Sequence, residues 1–545
     1  MKFETGGQAT ARALIDHGVD TIFTLCGGHL NPIYVNLENT DITFFDTRHE
    51  QAAVWMAEAY GRLMRKPGVA MVTAGPGFTN ALTPIASAWM ASTPLVLISG
   101  CVGINMIEKL DLQDMRQAPV IEPMVKKALV CHKPERAPEF VDLAFREATS
   151  GRPGPVHLTI PMDVLRKEAA GTPGDRPEPG PHAYNCRAAG DPAAIREATR
   201  IIRKSSRPMI IAGSGAFYAD AFQSLTRLAR IMKAPVAVPI WDRGAIEEPI
   251  PEFVGVIGAA SGEPKILPDA DLVLLVGARV DYRIGYLDPP SIQPGTLVIR
   301  LDIDPQEMGQ SIRPDVPLLC DPQSGLTQLA RALKGYRGNG PWIKEARRRA
   351  DEFHREWRKI PASASPPVTG RHVIEAVKKV ITRDTFLLVD GGNIGQWFHM
   401  AMCDRYPARW MTCGASGVVG WGVPAAIAVR SLYPKNPVLL LSGDGSATFT
   451  IAELEAASRQ RLPFVCVVAD DCAWGVVISM SRRRGSVPVG AKLGPIQFAK
   501  VAQGFGARGV LIKDPKKLPA AIKEGFSADR PTLIHVPIAG GGPTD

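Results

Sequence analysis

The sequence predicts an α/β protein of three doubly wound parallel-sheet domains, and three observations predict it. Short, wholly apolar runs such as "VAMV", "LVLIS" and "VLLLS" recur along the chain, each bounded by glycine or proline and followed by a helix-like stretch. Strands buried on both faces by covering helices need that pattern. Two weak-structure zones, "GTPGDRPEPGPH" (171–182) and "IPASASPPVTG" (360–370), read as linkers that divide the chain. Finally, the outer blocks repeat each other. "PGVAMVTAGPGFTN", a helix and "TPLVLISG" in the first match "NPVLLLSGDGSATF", a helix and "LPFVCVVADD" in the third.

At 545 residues the chain exceeds a single core, and a domain size of roughly 100–200 residues agrees with three blocks. The expected domains are 1–170, 185–340 and 365–545. Block one carries the strand-like runs "ITFFDT", "VAMVTAG" and "LVLISG". The middle block alternates in the same way through "RPMIIAGSGAF", "ADLVLLVGARV" and "TLVIRLDID". Its "GSGAFY" lacks the third glycine of a dinucleotide fingerprint, so FAD or ADP in this domain is left open and not indicated.

Composition excludes several classes. Hydrophobic residues make up 45% and charged residues 21%, an ordinary globular balance. No apolar run reaches the roughly 18–20 residues of a membrane span, and the opening "MKFETGGQAT" lacks the zones of a signal peptide, so a cytoplasmic enzyme is expected. The nine cysteines have neither disulfide nor zinc spacing. Net charge is +9, gathered in clusters such as "EARRRADEFHREWRK" and "SRRRGS", without the interleaved aromatics or reading motif of a nucleic-acid binder.

The third block carries the strongest chemical signal. In "LLLSGDGSATF" (439–449), Asp444 stands between Gly443 and Gly445 where an apolar strand stops, and Ser446 opens a helix. Ligands of open parallel sheets lie beyond the carboxyl ends of strands. Glycines allow close approach, and a helix start offers N–H groups to phosphate. A carboxylate beside phosphate calls for a hard cation between them, magnesium or calcium.

"GDGS" followed by "DDCAW", with Asp471 placed 27 residues after Asp444, resembles the signature of thiamine-diphosphate-dependent enzymes. The resemblance implies that Asp444, the Asp471 side chain and the Ala473 carbonyl hold a metal bridging to the diphosphate, beside Gly443, Gly445 and Ser446. This chain has Asp470–Asp471 where the family usually has Asn-Asn. The fold implied is that family's arrangement of pyrimidine-binding, middle and diphosphate-binding domains.

Glu50, in "DTRHEQAAVWMAEAYGR" (46–62), matches the family's catalytic glutamate, which hydrogen-bonds the aminopyrimidine and promotes the tautomer that activates the thiazolium carbon. "GASGVVGWGVPAA" (414–426) resembles the loop that wedges the cofactor, with Val419 as the wedge and the Gly417 carbonyl accepting from the amino group. Gly392 and Asn393 of "DGGNIGQW" are expected along the diphosphate. Because the family sets the two binding domains in different subunits, a homodimer or homotetramer with active sites between subunits is implied.

Within the family, "CGGHLNPIY", "FFDTRHE" and "VTAGPGFTNALTPIASAW" look most like benzaldehyde lyase and the 2-hydroxyacyl-CoA lyases. His29 and Gln113 match the histidine and glutamine of the former's active site, while Cys26 replaces a second histidine. A carbon–carbon lyase and carboligase acting on small 2-hydroxy ketones or 2-hydroxyacyl compounds is the expectation, with Arg482, Arg483 and Arg484 either attracting an anionic tail or simply solvated. The alternative is an acetolactate-synthase-like 2-oxo acid decarboxylase and carboligase, although Met480 stands where those synthases usually have Trp and Arg116–Gln117 replaces their Gln-Glu. A non-catalytic protein retaining the fold is the third reading.

Overall fold

The computed structural model describes residues 5–169, 187–242, 246–248, 250–258, 262–359, 367–402 and 409–542. The linker expected over 171–182 lies outside the described residues, as does most of the second, at 360–366. The chain forms two compact units. The first comprises Met1–Cys186 with Val423–Pro434 and Thr450–Pro463, and the second holds the remainder.

In the first unit, β1 (Thr21–Thr24), β2 (Thr43–Asp46), β3 (Gly68–Val72), β4 (Leu95–Cys101), β5 (Lys127–Val130) and β6 (Pro155–Pro161) make one sheet. Its order is β2-β1-β3-β4-β6-β5, and every pair is parallel. The central strands β3, β4 and β6 are buried along their whole length, and the edge strands β2 and β5 are partly exposed. A parallel sheet covered on both faces produces that gradient.

The second unit contains two sheets. The middle one consists of β7 (Pro208–Ala212), β8 (Val236–Pro239), β9 (Phe253–Ile257), β10 (Leu272–Val276), β11 (Leu297–Asp302) and β12 (Val316–Leu319). Its order, β12-β11-β10-β7-β8-β9, is that of a six-stranded dinucleotide-binding sheet. Ser214, in the glycine turn after β7, donates to Asp242 at 2.5 Å.

The last sheet consists of β13 (Phe386–Asp390), β14 (Trp410–Thr412), β15 (Val438–Gly443), β16 (Val465–Asp470), β17 (Arg508–Leu511) and β18 (Thr532–Pro537). Its order, β14-β13-β15-β16-β18-β17, repeats that of the first sheet strand for strand. The internal repeat therefore reflects shared topology. Both sheets reverse direction of winding between their first and third strands, and such a switch point opens the crevice where ligands bind. Among the described residues no helix is long and apolar enough to cross a membrane.

Candidate functional site

The first unit gathers its polar side chains at its own switch point. His29 follows β1, and Thr73 follows β3. His29 Nδ1 lies 3.0 Å from the Thr73 hydroxyl, which lies 3.5 Å from Gln113 Oε1. Gln113 arrives from the loop after β4 in the left-handed region, at φ +66°, a conformation a non-glycine residue holds only under constraint. Burial keeps the His29 pKa below its ordinary value, against a smaller upward pull from Asp111, so the ring is neutral at pH 7.

Glu50 opens the helix Glu50–Met64 and is 8% exposed. Asn80 Nδ2 donates to its Oε2 at 2.9 Å. A methyl group on Gly77 would come within 2.6 Å of Thr73 Cγ2 and 3.2 Å of Glu50 Oε1, so only glycine fits between them. Of the three residues expected to be catalytic, Thr73 thus joins His29 to Gln113, and Glu50 approaches Thr73 from the other side of the Gly77 backbone. The sequence reading missed Thr73 and Asn80, whose hydroxyl and amide groups carry no motif of their own.

In the second unit the switch point lies between β13 and β15. Asp444, 5% exposed, begins the helix Asp444–Thr450 directly after β15, and its Oδ2 accepts from the Ala473 N–H at 3.1 Å. Asp471 Oδ2 accepts from Asn393 Nδ2 at 3.1 Å. Burial first, and then the Asp471 charge, push Asp444 up to about 7. Asp471 is raised chiefly by burial. Asp470 behaves differently. Burial works to raise it, but His535 Nε2 at 2.8 Å and the Cys472 N–H at 3.0 Å hold it below the usual carboxylate range. The additional carboxylate is therefore occupied by His535.

Gly391 has φ +123°, and a side chain there would strike Gly443 N at 2.8 Å and Ser446 Oγ at 3.0 Å. This close approach of two strand ends forms a cradle that only backbone can line. Asp390, which the sequence reading passed over in favour of Gly392 and Asn393, fastens it. Its carboxylate accepts from Gly420 N–H at 3.2 and 3.1 Å, from Gly422 N–H at 2.9 Å and from Ser446. It so ties the loop carrying Gly417 and Val419 to the glycine turn. The ring of Trp241, from the turn after β8, lies 3.7 Å from where a Gly417 side chain would start, and Trp241 itself has φ +67°.

Three family models match the chain: the N-terminal TPP binding domain of thiamine pyrophosphate enzymes over residues 4–120, the central domain over 195–329 and the C-terminal TPP binding domain over 390–536. The chain belongs to the thiamine pyrophosphate enzymes. Among similar members, acetolactate synthase isozyme 1 large subunit of Escherichia coli is 30% identical across 98% of this chain and 94% of its own length. The probable acetolactate synthase large subunit of Methanocaldococcus jannaschii is 29% identical across 98% and 92%. Isozyme 3 of E. coli is 29% identical across 97% and 93%.

The cofactor of this thiamine pyrophosphate enzyme is thiamine diphosphate, and its activity is of the kind that forms carbon–carbon bonds. The names of these relatives back the acetolactate-synthase alternative rather than the benzaldehyde-lyase likeness expected from residues 1–130. The residues present fit the cofactor. The glycine cradle accepts a group no side chain could share, and the buried Asp444 and half-buried Asp471, both raised chiefly by burial, offer oxygens that a cation would settle. Among the described residues no three His, Cys, Asp or Glu side chains are grouped to hold a metal. Two carboxylates and a carbonyl suit an ion such as Mg²⁺, whose other ligands are phosphate and water.

Proposed function

We propose that this chain is an acetolactate-synthase-type enzyme, which decarboxylates one 2-oxo acid, releases CO₂ and joins the remaining acyl group to the carbonyl of a second. The observation that carries this reading is the set of relatives named acetolactate synthase large subunit, aligned with 97–98% of the chain at 29–30% identity. Bound thiamine diphosphate supplies a carbon nucleophile that accepts the charge left when the bond beside a carbonyl breaks.

The chain's own residues do the rest. Asp444, Asp471 and the Ala473 carbonyl hold Mg²⁺ or Ca²⁺. Gly443, Gly445, Ser446, Gly392 and Asn393 line the diphosphate, Asn393 also steadying Asp471. Val419 supports the cofactor rings, and the Gly417 carbonyl accepts from the amino group. Glu50 exchanges a proton with the pyrimidine ring, oriented by Asn80. Neutral His29 and Gln113, joined through Thr73, serve the substrate's carbonyl oxygen without adding a carboxylate that would repel an anionic substrate. The domain limits 1–170, 185–340 and 365–545 and a homodimeric or homotetrameric assembly belong to the same reading. The words "large subunit" in the relatives' names support a smaller partner chain as well.

The His29–Thr73–Gln113 grouping favours a second reading, a lyase of 2-hydroxy ketones, because a neutral proton relay suits a neutral substrate. Pyruvate, benzoin and a 2-hydroxyacyl-CoA, each supplied with magnesium and cofactor, separate the two. Acetolactate from pyruvate as the fastest product is expected. Benzoin cleavage without pyruvate turnover would overturn the first reading in favour of the second.

A further inference from the structure

Glu453, at the start of the helix Glu453–Arg459 in the first unit, is a carboxylate that no step above uses, yet it is 1% exposed. Burying an acid is costly unless its oxygens find donors. Both oxygens accept from the backbone N–H of Arg48, at 3.1 and 3.0 Å, and the His49 N–H adds another bond. Arg48 and His49 are the two residues before Glu50.

Neighbouring contacts extend this grip to the end of β2. Arg459 takes both Asp46 oxygens, at 2.9 and 2.6 Å, and Gln460 Nε2 donates to the Asp46 carbonyl at 2.8 Å. The Arg48 guanidinium lies 3.6 Å from Glu455. The exposed ion pairs contribute little individually. Glu453 differs, because removing it strands backbone donors where β2 hands over to the helix.

We infer that Glu453 is a positioning residue for Glu50: by holding the N–H groups of Arg48 and His49 it fixes the turn that aims the Glu50 carboxyl. The inference rests on the reading of Glu50 as the proton-exchanging acid. A carboxylate suits the task because both its oxygens accept. Glutamine offers one acceptor and turns an NH₂ toward the same donors, while aspartate keeps the charge but falls one methylene short.

Two measurements test the inference. Amide hydrogen exchange across residues 44–52, read without substrate or cofactor, is expected to accelerate in Glu453→Gln while segments over β3 and β4 keep the wild-type rate. Steady-state turnover of pyruvate is expected to lose about tenfold in kcat with KM within about twofold, since misplacing Glu50 weakens the transition state more than substrate binding. Faster exchange with wild-type kcat would reduce Glu453 to a structural residue, and unchanged exchange would overturn the inference outright. Should Glu453→Gln fail to fold, Glu453→Asp carries both readouts. Glu50→Gln serves as the control: full activity there defeats the reading of Glu50, whereas an inactive Glu50→Gln beside a wild-type-like Glu453→Gln defeats the positioning role alone.

Discussion

The ends of β1 and β3 in the first unit and those of β13 and β15 in the second hold equivalent places in sheets of identical strand order. What leaves those ends differs completely. The first crevice carries an imidazole, a hydroxyl, an amide and one acid, the groups proposed above to move protons. The second carries glycine backbone and two carboxylates, the groups proposed to hold an anion through a cation. The topology fixes where chemistry can occur, and the loops decide which chemistry it is. Both crevices nevertheless share one device, a buried carboxylate that staples a loop through backbone N–H groups. Glu453 does this for the segment before Glu50, and Asp390 does it for the segment before the helix that begins at Gly422. Burial pushes both up to about 7.

The division of labour can be broken at either crevice. Glu50→Gln removes the proton-exchanging acid and is expected to lower kcat on the order of 10²–10⁴-fold while calorimetry still finds cofactor bound through the other crevice. Asp444→Asn removes a proposed metal ligand, and the magnesium needed for half-activation is expected to rise by more than the roughly 10–100-fold that loss of an outer partner costs. Normal magnesium dependence in that variant would erase the contrast between the two crevices.

Finer tests sharpen the comparison. Glu58, on the helix that Glu50 opens, is fully buried and pushed up to about 7 from 4.5, with burial the main cause and Arg62 opposing it. The folded state therefore prefers the protonated form, so stability present below pH 4.5 drains away as pH rises through 7. Between pH 5 and 8.5, denaturant unfolding should show the wild type losing roughly 3 kcal/mol more than Glu58→Gln, the remaining loss in both coming from the other buried acids such as Asp390 and Glu453. The smallest effect is expected from Thr73→Val, which keeps the shape but removes the hydroxyl between His29 and Gln113. Turnover should fall about fivefold, with ordinary cofactor affinity.

The core of this fold is legible in the sequence because β3, β4 and β16 are buried end to end, and β15 up to Gly443, and they write their burial as apolar runs. The edge strands β5 and β17 face solvent in part, and "KALV" and "RGVL" carry no comparable mark. The same physics divides the site. Asp444 and Glu50 are legible because each stands beside a strand end or helix start with a recognisable local pattern. Thr73, Asp390 and Glu453 are not, because what makes them matter is a partner far along the chain. Glu453 meets Arg48 across 405 residues, and nothing near either of them announces it. The benzaldehyde-lyase likeness drew on short stretches of block one, whereas alignment of nearly the whole chain carries the synthase names.

The first unit borrows Val423–Pro434 and Thr450–Pro463 from late in the chain. At translation rates of about 5–20 residues per second, the nascent polypeptide waits roughly 15–55 s between emergence of residue 186 and completion of this unit. Throughout that interval β2 and the helix behind Glu50 leave the ribosome without their clasp. The first unit therefore reaches its full set of contacts only after residue 463 has emerged, although all six strands of its sheet are made by residue 161.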